Sequence, residues 1–188
     1  ELSALGILSL KEATKAIKDN KIDVLVTAPI NKDLSYSKSF KYTGHTDFFK
    51  HYFSKNPLML MISEELKIAL FTDHIPLKDV SNAINKDIVE QKIKALETSL
   101  IKDFQIKKPK IAVLAVNPHA GDNGLIGNED QSIIKPVINS FTTAQSSVSG
   151  PFSADTFFAN ENYKQYDGII ASYHDQGLIP FRSEEHTS

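Results

Sequence analysis

Three short stretches, LKIALF at Leu66 to Phe71, KIAVLAV at Lys110 to Val116 and GIIAS at Gly168 to Ser172, are apolar at almost every position. A strand with one wet face alternates apolar and polar residues, whereas a strand covered on both faces does not. The three runs therefore imply an α/β fold: a mainly parallel sheet with helices on both faces. Helical patterns fall between them. Asn85 is placed to cap a long helix whose apolar stripe is Val89, Ile93, Leu96 and Leu100.

The remaining elements follow the same logic. Ser9-Leu10-Lys11-Glu12 has the form of a capping box, followed by Ala13, Ala16 and Ile17 at helical spacing up to about Asn20. Ile22 to Val26 and Pro57 to Ile62 read as further strands. A helix is expected from near Thr46, carrying Phe48, Phe49, Tyr52 and Phe53, and another from Asn128 to Phe141 with a kink at Pro136. Ser153 is placed to cap a short helix.

Composition narrows the function classes. Among 188 residues, 21 Lys and Arg against 23 Asp and Glu leave a net charge of −2, so the excess of cations that marks a nucleic-acid binder is missing. No apolar run reaches the roughly 20 residues of a membrane helix. With no cysteine in the chain, disulfides and thiolate chemistry are excluded, and any metal must sit on nitrogen and oxygen ligands. The first residue is Glu1 and no secretory pattern follows it, so the chain is expected to be cytoplasmic and an internal portion of a longer polypeptide.

In parallel sheets, ligands gather outside the carboxyl ends of the strands. Histidines stand there repeatedly: His74 in Thr72-Asp73-His74, His119 in Asn117-Pro118-His119-Ala120-Gly121, and His174 in Tyr173-His174-Asp175-Gln176-Gly177. Without thiolates, neutral imidazole is the commonest metal ligand, so His119 and His174 are candidate metal ligands or proton carriers. The plainer alternative, that each caps its own loop, is equally open; His74 is assigned to that structural role. Thr43-Gly44-His45-Thr46-Asp47 opens a helix, whose free N–H groups suit a carboxylate or phosphate, against the alternative that Thr46 merely caps it and His45 is solvated. Gly121 to Gly127 is glycine-rich but lacks the spacing of a nucleotide fingerprint, and Glu129 and Asp130 behind it would repel phosphate.

Together, Val26-Thr27-Ala28-Pro29-Ile30-Asn31-Lys32, Thr43-Gly44-His45-Thr46-Asp47, Asn117-Pro118-His119-Ala120-Gly121, Ala154-Asp155-Thr156 and Tyr173-His174-Asp175-Gln176-Gly177 resemble, in order and spacing, the 4-hydroxythreonine-4-phosphate dehydrogenase (PdxA) family. The resemblance runs from about Asp23 to Pro180. It implies an isocitrate/isopropylmalate-dehydrogenase-like fold of two domains, present here in part, and a homodimer with a shared cleft. It also implies NAD-dependent oxidation of 4-phosphohydroxy-L-threonine, with loss of carbon dioxide, on the way to pyridoxal phosphate. Carried over by motif, His45 and Thr46 would bind substrate, and His119 and His174 would bind a divalent metal (Zn, Mg, Mn or Co). Asp175 and Lys32 are the candidates for the general base.

By the same resemblance, a third metal histidine and most of the nicotinamide site belong to a region beyond Phe181. The 188-residue chain is therefore expected to hold an incomplete site and little activity. Residues 1–181 form the partial dehydrogenase region. Arg182 to Ser188, which contains the one arginine of the chain and looks like a translated sequencing adapter, is expected to be a non-native tail. Two alternatives stay open: a related dehydrogenase acting on another four-carbon acid phosphate, and a metal-dependent hydrolase or lyase that uses no NAD.

Overall fold

The computed structural model describes residues 2–29, 40–42, 44–54, 57–141, 146–159 and 161–187, without the side chains of 2–4 and 184–187. They form two compact units, Glu1–Pro57 and Leu58–Ser188. Lys32 lies outside the described residues.

In the first unit, helix α1 runs over Leu2–Lys18 and α2 over His45–Phe53. The helix does not start at the Ser9 box. Leu2, Ala4 and Leu5 are good helix formers, and Ile7, Leu10 and Thr14 line up as one buried stripe that carries the helix straight through Ser9. Thr14 donates its hydroxyl to Leu10 O at 2.6 Å, which satisfies it in the interior. Phe40 and Phe48 stack at 5.6 Å between ring centroids and, with Ile7 and Leu10, make a small core.

Residues 22–26 have no regular secondary structure and are not part of any described strand. Leu25 packs on that core, while Val24 and Val26 are 76% and 90% exposed. A strand exists only where a neighbour accepts its hydrogen bonds, and among the described residues this segment has none.

The second unit holds a five-stranded sheet: β1 (Leu60–Ile62), β2 (Lys67–Leu70), β3 (Lys110–Leu114), β4 (Ser147–Phe152) and β5 (Gly168–Ala171), in the order β1-β2-β5-β3-β4. All pairings are parallel except the β1–β2 hairpin, in which Leu60 faces Ala69. β4 is an addition to the sequence reading; Ser-Val-Ser-Gly-Pro-Phe carries no apolar run, and its place is set by long-range pairing with β3.

The unbroken apolar runs are explained by two cores. Ala69, Phe71, Ile111, Val113 and Ile170 point to one face; Ile68, Leu70, Ala112, Leu114, Ile169 and Ala171 point to the other. The first face is covered by α4 (Lys86–Lys102) and by α5 (Lys135–Ser140), with a short α3 (Val80–Ala83) beside them. Asn85 caps α4 as expected, its Oδ1 accepting the Ile88 N–H at 3.0 Å. Val89, Ile93, Leu96 and Leu100 are fully buried, each contributing about 1.5–3 kcal/mol. The second face is covered by α6 (Ala154–Ala159) and α7 (His174–Thr187).

Two expected helices differ in form. The Asn128–Phe141 segment enters as a π-helical turn, Asp130–Ile134, before becoming α5, so Pro136 sits at the start of a fresh α-helical stretch and not inside a continuous one. The segment after β5 is not a loop. It turns directly into α7, which continues through residues 182–187.

Candidate active-site rim

Because β5 lies between β2 and β3 and all three run parallel, their carboxyl ends share one edge of the sheet. That edge carries His74, His174 and His119. Short polar side chains tie the strand ends together. Thr72 Oγ1 donates to Ser172 O at 2.8 Å, and Ser172 Oγ donates to Leu114 O at 3.1 Å. Gln176 spans both neighbours: its Oε1 accepts the Ser172 N–H and its Nε2 donates to Ala115 O, each at 2.7 Å. Gln176 thus holds the ends of β5 and β3 at a fixed spacing.

His174 opens α7. Its Nδ1 lies 2.7 Å from Asp175 Oδ1, which leaves Nε2 facing outward from the pair. Gly177 lets this helix press onto the sheet, since a Cβ there would stand 2.8 Å from Leu70 Cδ2 and 3.1 Å from Ala171 Cβ. The His74 ring, assigned from sequence to a separate structural role, lies beside that of His174 with 5.5 Å between centroids. No motif in the sequence links the two; the pairing of β2 with β5 brings them together.

His119 sits in a tight turn over Pro118–Gly124. Its backbone N–H donates to Ser153 Oγ at 3.2 Å, and Ser153 Oγ donates in turn to Asp155 Oδ1 at 2.6 Å. The Ser153 hydroxyl, the Thr156 N–H and, more weakly, the charge of His119 hold the Asp155 carboxyl below its ordinary pKa. Ser153 therefore couples α6 to the His119 turn.

Behind the turn, Asp130 is fully buried and accepts from Val116 N at 2.8 Å, Asn117 N at 3.1 Å and Asn117 Nδ2 at 3.0 Å. Neighbouring Glu129 accepts from Asn117 Nδ2 at 2.8 Å and from the Ser81 hydroxyl. These hydrogen bonds, with that of Ser81 foremost, lower the Glu129 pKa. From sequence both acids signalled only repulsion of phosphate. Their structural use depends on chain closure that no local pattern announces.

His45 and Thr46 belong to the first unit, in the opening turn of α2. Gly44, not Thr46, takes the N-cap position, and no side chain caps this end. The first-turn N–H groups of a helix have no intrahelical acceptor, so the location suits an anionic ligand group.

Imidazole nitrogens with a carboxylate-oriented ring are a donor set that fits a divalent transition metal. Among the described residues, no three His, Asp or Glu side chains converge to hold a metal by themselves. His119 and His174 follow the neighbouring strands β3 and β5, and their imidazoles are the donor type such an ion takes.

Residues 2–186 match the family model described as pyridoxal phosphate biosynthetic protein PdxA. The chain belongs to the PdxA family. It is 40% identical over 183 residues to 4-hydroxythreonine-4-phosphate dehydrogenase of Bacteroides thetaiotaomicron, covering 96% of this chain and 50% of that protein. The corresponding protein of Sulfurihydrogenibium sp. is also 40% identical, with 97% and 56% covered. Among solved structures, 4-hydroxythreonine-4-phosphate dehydrogenase of Klebsiella pneumoniae aligns with a TM-score of 0.85 at 31% identity, covering 97% of this chain and 56% of that one. A terephthalate 1,2-cis-dihydrodiol dehydrogenase of Burkholderia xenovorans aligns at 0.78 and 25% identity, with 96% and 57% covered. The chain thus spans about half the length of the PdxA relatives it matches. These relatives are dehydrogenases by name, and the α/β architecture expected from the apolar runs is the one they share.

Proposed function

We propose that this chain forms part of an NAD-dependent, divalent-metal-assisted dehydrogenase that oxidises and decarboxylates 4-phosphohydroxy-L-threonine to 3-amino-2-oxopropyl phosphate in pyridoxal phosphate biosynthesis. One observation carries the reading. Two histidines of PdxA motifs, His119 and His174, end adjacent parallel strands, and a carboxylate 2.7 Å away orients the second.

In this reading His119 and His174 hold the metal, and Asp175 fixes the His174 ring so that Nε2 is available. A divalent ion, when bound, supplies Lewis acidity that lowers the pKa of the substrate hydroxyl, and NAD supplies the hydride acceptor. His45 and Thr46 bind the substrate at the start of α2, where N–H groups and the helix dipole favour a negative charge. Asp175 and Lys32 are the candidates to take the hydroxyl proton; the 2.7 Å contact favours Asp175 in the orienting role. The enzyme works as a homodimer in the cytoplasm, and residues 182–188 are a non-native tail. Among the described residues no helix is long and apolar enough to cross a membrane.

The test is NADH absorbance on mixing the full-length protein that contains this chain with NAD, Mn2+ and 4-phosphohydroxy-L-threonine, together with release of carbon dioxide. The likeness to a dihydrodiol dehydrogenase gives a second reading, which NADH formation only with a cyclic diol or another four-carbon acid phosphate would favour. Metal-dependent ester cleavage without NAD would overturn both.

A further inference from the structure

The turn that presents His119 is left-handed. His119, Ala120, Asp122 and Asn123 have φ of 52°, 53°, 43° and 55°, and the glycines between and after them, Gly121 and Gly124, have 79° and 95°. Each L-residue in that region costs about 1–2 kcal/mol, less for Asp and Asn, so His119, Ala120, Asp122 and Asn123 persist there together only where something else over-determines them. His119 itself is one of the strained residues, which means its direction is set by whatever holds the turn.

We propose that Asp130 is the positioning residue of His119. Its carboxylate is fully buried and spends both oxygens on the two residues that lead into the turn: Oδ1 on Val116 N, Oδ2 on Asn117 N and Asn117 Nδ2. Hydrogen bonds to a charged acceptor are the strong ones, and a buried carboxylate that lost them would be left in apolar surroundings. Asn117 is therefore clamped before the chain reverses hand at His119. The clamp has no slack. Gly127 (φ 102°) passes so near that a Cβ on it would lie 2.6 Å from the Asn117 side-chain amide. At the far side, Ser153 receives the His119 N–H, so the turn is fixed at entry by Asp130 and at the histidine by Ser153.

Asp130 touches neither substrate nor metal in this scheme; it acts through Asn117 on His119. The inference rests on the reading of His119 as a site residue, and its test separates the two.

Asp130→Asn keeps the volume but turns one oxygen into a donor that faces other donors. In the full chain, amide exchange at residues 116–124 should accelerate about tenfold to a hundredfold, while amides of Ile111 to Val113 and Ile169 to Ala171 keep their wild-type rates. The imidazole NMR signals of His119 should shift and those of His174 should not. Affinity for Zn2+ alone should fall at least about tenfold. Wild-type exchange in the turn, or equal acceleration of turn and strands, would overturn the proposal, the latter by showing a merely structural role. Where Asp130→Asn fails to fold, Asn117→Ser keeps the two backbone donors to Asp130, removes the Nδ2 bonds to Asp130 and Glu129, and should give the same local pattern at smaller amplitude; its absence would overturn the proposal too. A wild-type chain that binds no Zn2+ would remove the metal reading, yet the exchange comparison would still decide whether Asp130 fixes the turn.

Discussion

His174 Nδ1 and Asp175 Oδ1, on the first two residues of α7, lie 2.7 Å apart. The contact engages the ring through Nδ1 and leaves Nε2 clear of that carboxylate. Asp175 is 73% exposed, so the pair contributes little to folding. Its effect should show in ligand binding. Asp175→Ala is expected to leave stability within about 0.5 kcal/mol while weakening metal affinity about 10- to 100-fold. Isothermal titration with Zn2+ beside a urea melt checks both halves; a large loss of stability with unchanged affinity would contradict the assignment.

Gln176, one residue further, has the opposite balance. Gln176→Leu would leave the Ser172 N–H and the Ala115 carbonyl without their partner at a half-buried strand end. Each unsatisfied group costs about 1–3 kcal/mol, and the substitution should lower the urea midpoint accordingly without changing the slope of the transition. Gln176→Glu keeps the acceptor for Ser172 and loses the donor to Ala115, so it should fall between Leu and wild type.

These contacts mark how far the sequence was legible. The helix Lys86–Lys102 was readable to the cap, since Asn85 and the four-residue stripe are local signals acting within one helix. The sheet core was readable because burial on two faces erases alternation in Ile111 to Leu114 and Ile169 to Ala171. Ile22 to Val26 carries the same apolar signal, yet its strand character depends on a partner that composition cannot supply. At the site, His119 and His174 were marked by their position after strands, whereas the nearness of His74 to His174 and the contacts of Gln176 and Asp130 come from neighbours 100, 61 and 14 residues away along the chain. Spacing in sequence says nothing about closures of that kind.

Gly177→Ala sets two effects against each other. Alanine is favoured over glycine by about 1 kcal/mol inside a helix. The added methyl would meet Leu70 Cδ2 at 2.8 Å, Ile68 Cγ2 at 3.1 Å and Ala171 Cβ at 3.1 Å, all in a packed core. Overpacking of this kind costs about 1–3 kcal/mol, so it should outweigh the gain in propensity. The net expectation is a loss of up to about 2 kcal/mol by thermal or urea unfolding, accompanied by weaker metal binding as α7 and His174 move off the sheet. A stabilised variant would mean that the helix can lift without cost.

Glu129 gives the rim an acid limit. Its pKa is lowered in the folded chain, chiefly by the Ser81 hydroxyl and further by its own N–H and the Asn117 amide. A depressed carboxylate contributes stability that is present above its unfolded pKa of about 4.3 and is lost as pH falls through the lower folded value. Wild type should therefore hold its margin over Glu129→Gln from pH 7 down to about pH 5 and lose it progressively below about pH 4. Urea melts of both proteins at a series of pH values check this. A margin that grows as the solution is acidified would reverse the sign and show that Glu129 is held in its protonated form instead.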